Sequence, residues 1–206
     1  ERLRAVFSRL LRLTPDERTV ISEIVQAART VTAPDDLVSF ARTAGELNAH
    51  YPGDPGVLAA LLMNRITLQP GDALFMPSGN LHAYLSGGGV EIMANSDNVM
   101  RGGLTPKHVE VDELLTILDF TPGLRGLITP VEESRGVWRY PTPAPEFTLW
   151  RVEPHGEAVA VPAAGSGRVV LVTDGDLTAT SSTSKLDLVR GEAALLSAGE
   201  EAVLTG

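Results

Sequence analysis

The chain has 206 residues, a formal net charge of −9 and no cysteine. This acidity argues against a nucleic-acid or anionic-membrane partner, because such surfaces are bound by clusters of Lys and Arg, although a few local cations suffice for a small phosphorylated ligand. No apolar run approaches the roughly 18 residues of a membrane span. Disulfides are excluded, and no signal-peptide pattern is visible at the start, so we expect a cytoplasmic protein.

Residues up to 64 have the spacing of helices. In the segment 14–31, Thr14 is predicted as the N-cap, Pro15 as the first helical residue and Glu17 as the partner in a capping box. The apolar residues that follow recur on one helical face: Val20, Ile21, Ile24, Val25 and Ala28. Two further helices are predicted, one after residue 33 and one over 55–64.

The period changes at Arg65, where alternating residues interrupted by Gly and Pro predict strands. Short β-like runs follow residue 126. Between the strands that begin at Arg65 and those after residue 126, residues 108–120 predict one helix with four inward-facing residues: Val111, Leu114, Leu115 and Leu118. Helices first and strands later predict segregated α and β parts, an α+β class.

Residues 68–82 (LQPGDALFMPSGNLH) and 188–202 (LVRGEAALLSAGEEA) share a pattern at an offset of 120 residues. We name them the first copy and the second copy. Such a repeat predicts two related β units. The second copy has Ala202 where the first has His82, so any chemistry of the histidine belongs to the first unit.

The spacing of Gly71, Pro77, Gly79 and His82 is similar to the second metal motif of cupin barrels, which ends in Asn where this chain has Ser86. The resemblance implies a turn at a barrel mouth and a strand that aims His82 inward as a metal ligand. A lone histidine is otherwise more often satisfied by a backbone carbonyl. The three remaining histidines lack partners at metal spacing.

A longer stretch resembles the type I mannose-6-phosphate isomerases of the cupin superfamily. It comprises YPGDPGVLAALLMN (51–64) and residues 81–115, above all SDNVMRGGLTPKHVEV from Ser96 to Val111. The family usually has Ala where this chain has Gly102 or Gly103. The resemblance implies a helical domain over 1–64, the second part of a catalytic jelly-roll cupin barrel over 65–125, and a degenerate C-terminal cupin-like domain over 126–206.

The resemblance also implies an activity, the interconversion of mannose 6-phosphate and fructose 6-phosphate through an enediol with one zinc ion. Such a reaction needs a base and a group that holds negative charge on oxygen. His82 matches the family's zinc ligand, Arg101 its active-site arginine, and Glu91 an active-site carboxylate in proton transfer. The alternatives are an exposed loop arginine and an outward-facing strand residue.

Three further residues are predicted to bind the substrate, and two of them, Asp97 and Lys107, match active-site positions of the family. Asp97 and Lys107 are expected to contact the sugar phosphate, the alternatives being a turn aspartate and a surface lysine. Tyr84 lies two residues after His82 and is predicted on the same side of the chain, in hydroxyl contact or in packing.

The family's other zinc ligands, a Gln-x-His pair and a Glu, have no counterpart here. We therefore expect the chain to be a C-terminal portion of the enzyme, inactive and a poor zinc binder alone, which self-associates or pairs with an N-terminal half. The alternative is a non-catalytic cupin module that binds a sugar or sugar phosphate. Such a module would be expected to have lost the polar residues of the site, but this chain retains all five: His82, Glu91, Asp97, Arg101 and Lys107.

Overall fold

The structure is a computed structural model that describes residues 1–96 and 99–206. The chain divides into two units. The first comprises Glu1–Leu68, Met76–Glu91 and Asn95–Gly126, and the second comprises Gln69–Phe75, Ile92–Ala94 and Leu127–Gly206. The domain boundaries at 64 and 125 remain a prediction.

Helices make up most of the regular structure of the first unit. Their bounds are α1 (Arg2–Leu11), α2 (Thr19–Ala28), α3 (Asp35–His50), α4 (Gly56–Ala60) and α5 (Val111–Ile117). We name the core between α2, α3 and α4 the first helical core; its buried residues are Leu13, Ile21, Val25, Ala44, Leu47, Val57 and Leu58. The predicted helices of the first 64 residues are confirmed, although α4 is shorter than its predicted span of 55–64.

The start of α2 differs from the prediction. Glu17 accepts hydrogen bonds from the Thr14 amide at 2.9 Å and from the Thr14 hydroxyl at 3.0 Å. The hydroxyl therefore donates to the carboxylate instead of capping a helix amide. Residues 15–18 form a turn and the regular helix begins at Thr19. Hydrogen bonds from Arg9 and then from Thr14 lower the pKa of Glu17 to about 2.

A second helical core lies between α1, α4 and α5. Its buried residues are Phe7, Ala59, Leu114 and Leu115. The helix α5 is shorter than the predicted span of 108–120, because Leu118 is already extended, with ψ 134°. Its inward-facing residues are as predicted, since Val111 and Leu118 also pack against this core.

The second unit is built of antiparallel strands. β1 (Ala73–Leu74) pairs with β2 (Leu127–Ile128). Three strands form a sheet in the order β3 (Val131–Ser134), β4 (Val137–Tyr140) and β5 (Leu149–Val152). A four-stranded sheet has the order β6 (Val159–Ala160), β11 (Ala202–Thr205), β8 (Asp176–Ser181) and β9 (Lys185–Val189), and β7 (Arg168–Leu171) pairs with β10 (Ala193–Leu196).

The core of the second unit contains Val172, Ala179, Leu188 and Leu204. Mixed helices and antiparallel sheets agree with the predicted α+β class. The jelly-roll closure and the cupin ancestry of this unit remain predictions. None of the helices in the described part of the chain has the length and apolar character needed to cross a membrane.

Residues 76–110 depart from the prediction of barrel strands. Within the described part of this segment, no residue belongs to a strand. Several large apolar side chains here are exposed: Tyr84, Leu85, Val90, Ile92, Met93 and Val99. An extended segment becomes a strand only when a neighbouring strand accepts and donates its backbone hydrogen bonds.

Candidate functional site

A tight turn brings the chain to His82. Gly79 adopts φ 80°, and the Asn80 amide bonds to the Pro77 carbonyl at 3.3 Å. A Cβ on Gly79 would lie 2.5 Å from the Ile117 carbonyl oxygen at the end of α5. Only glycine meets both conditions, so this turn is fixed against the helix.

His82 is exposed and held by a local contact. Its Nδ1 lies 3.1 Å from the Asn80 carbonyl oxygen. A carbonyl only accepts, so Nδ1 donates in this contact, and the neutral tautomer that does so has its lone pair on Nε2. Histidines that bind zinc through Nε2 commonly donate Nδ1–H in this way. The carbonyl partner named as the alternative is thus compatible with a ligand role.

Tyr84 and Glu91 extend the site from His82. The rings of His82 and Tyr84 meet edge to face with their centroids 5.8 Å apart. The Tyr84 hydroxyl donates to Glu91 Oε1 at 3.0 Å, although the tyrosine is 71% exposed. Loss of hydration and then the hydrogen bond to Glu91 raise the pKa of Tyr84. We name His82, Tyr84 and Glu91 the His82 row; these are three of the six predicted site residues.

Alternate residues along this segment face the helices. Leu81 packs against the second helical core. Ala83 and Leu85 line a small cavity of about 50 Å³, together with Phe40 and Leu47 of α3. The helical part of the first unit therefore supports one side of the segment, and the polar residues lie on the other.

Arg101 and Lys107 lie on the loop before α5 and are both exposed. The neighbouring Met100 packs against the second helical core and Leu104 against the first. Within residues 1–96 and 99–206, no hydrogen bond or ion pair joins either cation to the His82 row. The predicted contact residue Asp97 lies outside the described residues.

The residues present fit part of a metal site. In the part of the chain that the structure describes, no group of three or more His, Asp or Glu side chains could hold a metal ion. Zinc sites in proteins use three or four protein ligands. His82 can supply one such ligand, so the remainder would have to come from residues outside this set.

The sequence analysis missed the apolar residues that anchor the site. Leu81, Met100 and Leu104 each lie one to three positions from a predicted polar site residue and pack in a helical core. The signal that the sequence offers is an apolar residue within three positions of a polar site residue. Their partners are distant along the chain, which a local pattern does not show.

The solved structures that this chain resembles include phosphomannose isomerases. A variant of the enzyme from Salmonella typhimurium superposes with a TM-score of 0.90 at 28% identity, covering 100% of this chain and 52% of that one. A zinc-bound mannose 6-phosphate isomerase superposes with a TM-score of 0.85 at 27% identity, covering 100% of this chain and 54% of that one.

Curated relatives carry the same name. Mannose-6-phosphate isomerase 2 of Arabidopsis thaliana is 33% identical over 99% of this chain and 47% of its own length. The mannose-6-phosphate isomerase of Salmonella typhimurium is 32% identical over 98% of this chain and 51% of its own length. No protein-family model matches the chain. The resemblance to mannose-6-phosphate isomerases is confirmed, and the chain spans about half the length of the curated relatives it matches.

Proposed function

We propose that this chain supplies the C-terminal half of a zinc-dependent mannose-6-phosphate isomerase. The observation that carries the proposal is similarity in sequence and fold over at least 98% of the chain to proteins of this name, including one with zinc bound. The chain corresponds to only about half of each of them. On this proposal it provides part of a cytoplasmic enzyme's active site.

The incomplete site supports a missing half. His82 offers one zinc ligand, and the described residues contain no group of three. Residues 80–96 belong to no strand, and most of them are exposed. A second polypeptide segment that paired with them would complete both the sheet and the ligand set. Alone, the chain is expected to be inactive, to bind zinc poorly and to self-associate through this segment.

The reaction moves a proton between two adjacent carbons of the sugar. Glu91 removes the proton from the hydroxyl-bearing carbon beside the carbonyl and returns it to the former carbonyl carbon, while the proton of that hydroxyl passes to the former carbonyl oxygen. Arg101 holds, through its guanidinium, the oxygen that carries negative charge in the enediol intermediate. Tyr84 orients the Glu91 carboxylate through its hydroxyl, while Asp97 and Lys107 contact the sugar phosphate. Zinc, when bound, polarises the substrate oxygens.

The test is isomerase activity on mannose 6-phosphate with added zinc. It is measured on this chain and on the complete reading frame that encodes it, each before and after treatment with a chelator. We expect activity only for the complete reading frame, lost with the chelator and restored by zinc. Activity of the 206-residue chain alone would show that the ligand count is wrong.

The same experiment distinguishes the isomerase from the non-catalytic module. If neither protein isomerises the substrate, binding of mannose 6-phosphate by calorimetry separates a sugar-phosphate-binding protein from one with no such ligand. Either result would refute the isomerase.

A further inference from the structure

Asp54 lies in the turn before α4, far along the chain from the loop that carries Arg101. Its Oδ1 accepts a hydrogen bond from the Gly56 amide at 2.6 Å and another from the Leu104 amide at 3.2 Å. Asp54 is half-buried. One carboxylate oxygen thus ties together two segments that are 50 residues apart.

The two segments touch through glycines. A Cβ on Gly103 would lie 2.8 Å from the Gly56 Cα, and a Cβ on Gly56 would lie 2.6 Å from the Leu104 nitrogen. Gly103 also has φ 119°. Two facing glycines let the backbones approach closely enough for the carboxylate to reach both amides.

Leu104 is held in a conformation that leucine seldom adopts. Its φ is 52°, in the left-handed region. The hydrogen bond to Asp54 and the packing of the side chain against the first helical core hold it there. Arg101 lies three residues before this anchor and has no carboxylate partner of its own among the described residues.

We propose that Asp54 is a positioning residue for the isomerase reaction: it fixes the 100–104 loop on α4 and thereby places the Arg101 guanidinium. The inference rests on the proposed function for the role of Arg101. The anchoring of the loop rests on the contacts of Asp54 alone. Asp54 itself is not expected to touch the substrate.

The first measurement is hydrogen exchange of the Leu104 amide in the complete protein. Asp54→Ala removes a charge-assisted hydrogen bond and should speed this exchange by about tenfold or more. Asp54→Asn keeps an acceptor oxygen and should show a smaller increase, and it serves if the alanine variant does not fold. Asp119→Ala is the matched control, because Asp119 bonds to Thr121 and Arg125 in its own turn.

The second measurement is a double-mutant cycle on kcat/KM with Arg101→Ala. Asp54→Ala should lower kcat/KM about tenfold when Arg101 is present and less than about twofold when it is absent. Asp54→Asn should restore part of the loss. An equal loss in both backgrounds would mean that Asp54 is merely structural and would overturn the proposal.

The two measurements separate two failures. A parent protein inactive on mannose 6-phosphate refutes the proposed function, and exchange at Leu104 then decides alone whether Asp54 holds the loop. Unchanged exchange at Leu104 in both Asp54 variants overturns the proposal whatever the activity.

Discussion

The first and second copies adopt the same turns in different surroundings. Gly71 and Gly191 both have φ 90°. The acidic residue that follows accepts a hydrogen bond from the amide three positions earlier, Asp72 at 2.8 Å and Glu192 at 3.0 Å. The second turns match as well, with φ 80° at Gly79 and 72° at Gly199. Residues within four positions of one another are enough to specify these turns.

The copies diverge after the second turn. In the second copy the chain enters β11, which pairs with β6 and β8, and Leu204 is 3% exposed. Tyr84, at the equivalent position of the first copy, is 71% exposed and belongs to no strand. The difference teaches that a strand needs partners, which the second copy finds within this chain and the first does not among the described residues.

The largest expected effect is on zinc binding and activity, and it distinguishes His82 from Ala202, the equivalent residue of the second copy. In the complete protein, His82→Ala should lower zinc affinity and isomerase activity at least about a hundredfold, because a direct ligand matters more than the groups that orient it. Ala202→His should gain no zinc. Metal analysis after dialysis measures the zinc content of both variants, and kcat measures their activity. His50→Ala, an exposed histidine of α3, is the control; full zinc content in His82→Ala would contradict the ligand role.

The next effect is on stability. Leu204→Ala should lower the free energy of unfolding by about 2–5 kcal/mol, because it empties a site in the core of the second unit. Tyr84→Ala at the equivalent position should cost less than about 1 kcal/mol in this chain, since it removes an exposed hydrogen bond to Glu91 and an exposed ring contact with His82. Urea unfolding compares the two. Equal losses would mean that the first copy is packed in solution.

Gly71 and Gly191 provide a smaller contrast. Alanine at either position costs about 1–2 kcal/mol because of the left-handed backbone. At Gly71 the new Cβ would also collide with the Arg151 guanidinium, which lies 4.5 Å from the Trp138 ring centroid, whereas nothing lies within 4 Å at Gly191.

Gly71→Ala should therefore cost about 0.5–1 kcal/mol more than Gly191→Ala. Thermal unfolding of both variants measures the difference. In an Arg151→Ala background the difference should vanish, and its persistence would show that the collision is not the cause.

The smallest effect concerns pH. A hydrogen bond from the Ser197 amide, then one from the Ser181 side chain and, less strongly, the charge of Arg168 lower the pKa of Glu200 below its ordinary value of 4.5. Because the folded protein favours the ionised form, Glu200 contributes stability above pH 4.5 that is lost as the pH falls through the lowered pKa. Glu200→Gln should flatten this acid limb, and unfolding midpoints from pH 6 to about pH 3 measure it. Parallel curves would contradict the assignment.

Local patterns predicted most of the regular structure. The helices of the first 64 residues, the inward face of α5 and the strands after residue 126 follow from periodicity and from Gly and Pro at turns. The residues of the His82 row also lie close in sequence. The spacing from Gly71 indicated His82, the offset of two residues indicated Tyr84, and the resemblance to the isomerases indicated Glu91. The prediction for the start of α2 was wrong in part: Glu17 accepts from the Thr14 amide as in a capping box, but the Thr14 hydroxyl donates to Glu17 where a cap would accept from a backbone amide.

Contacts between distant segments were decided only by the tertiary structure. Asp54 reaches Leu104 across 50 residues, and the approach of Gly56 to Gly103 depends on how α4 packs. The amino-acid sequence by itself determined the turns, the helices and the residue types of the site, because their causes lie within a few residues. Tertiary partners decided the rest. The chain after Gly199 forms a strand because β6 and β8 pair with it, whereas residues 80–96 have no such partner among the described residues. The Arg101 loop is likewise anchored by a residue 50 positions away.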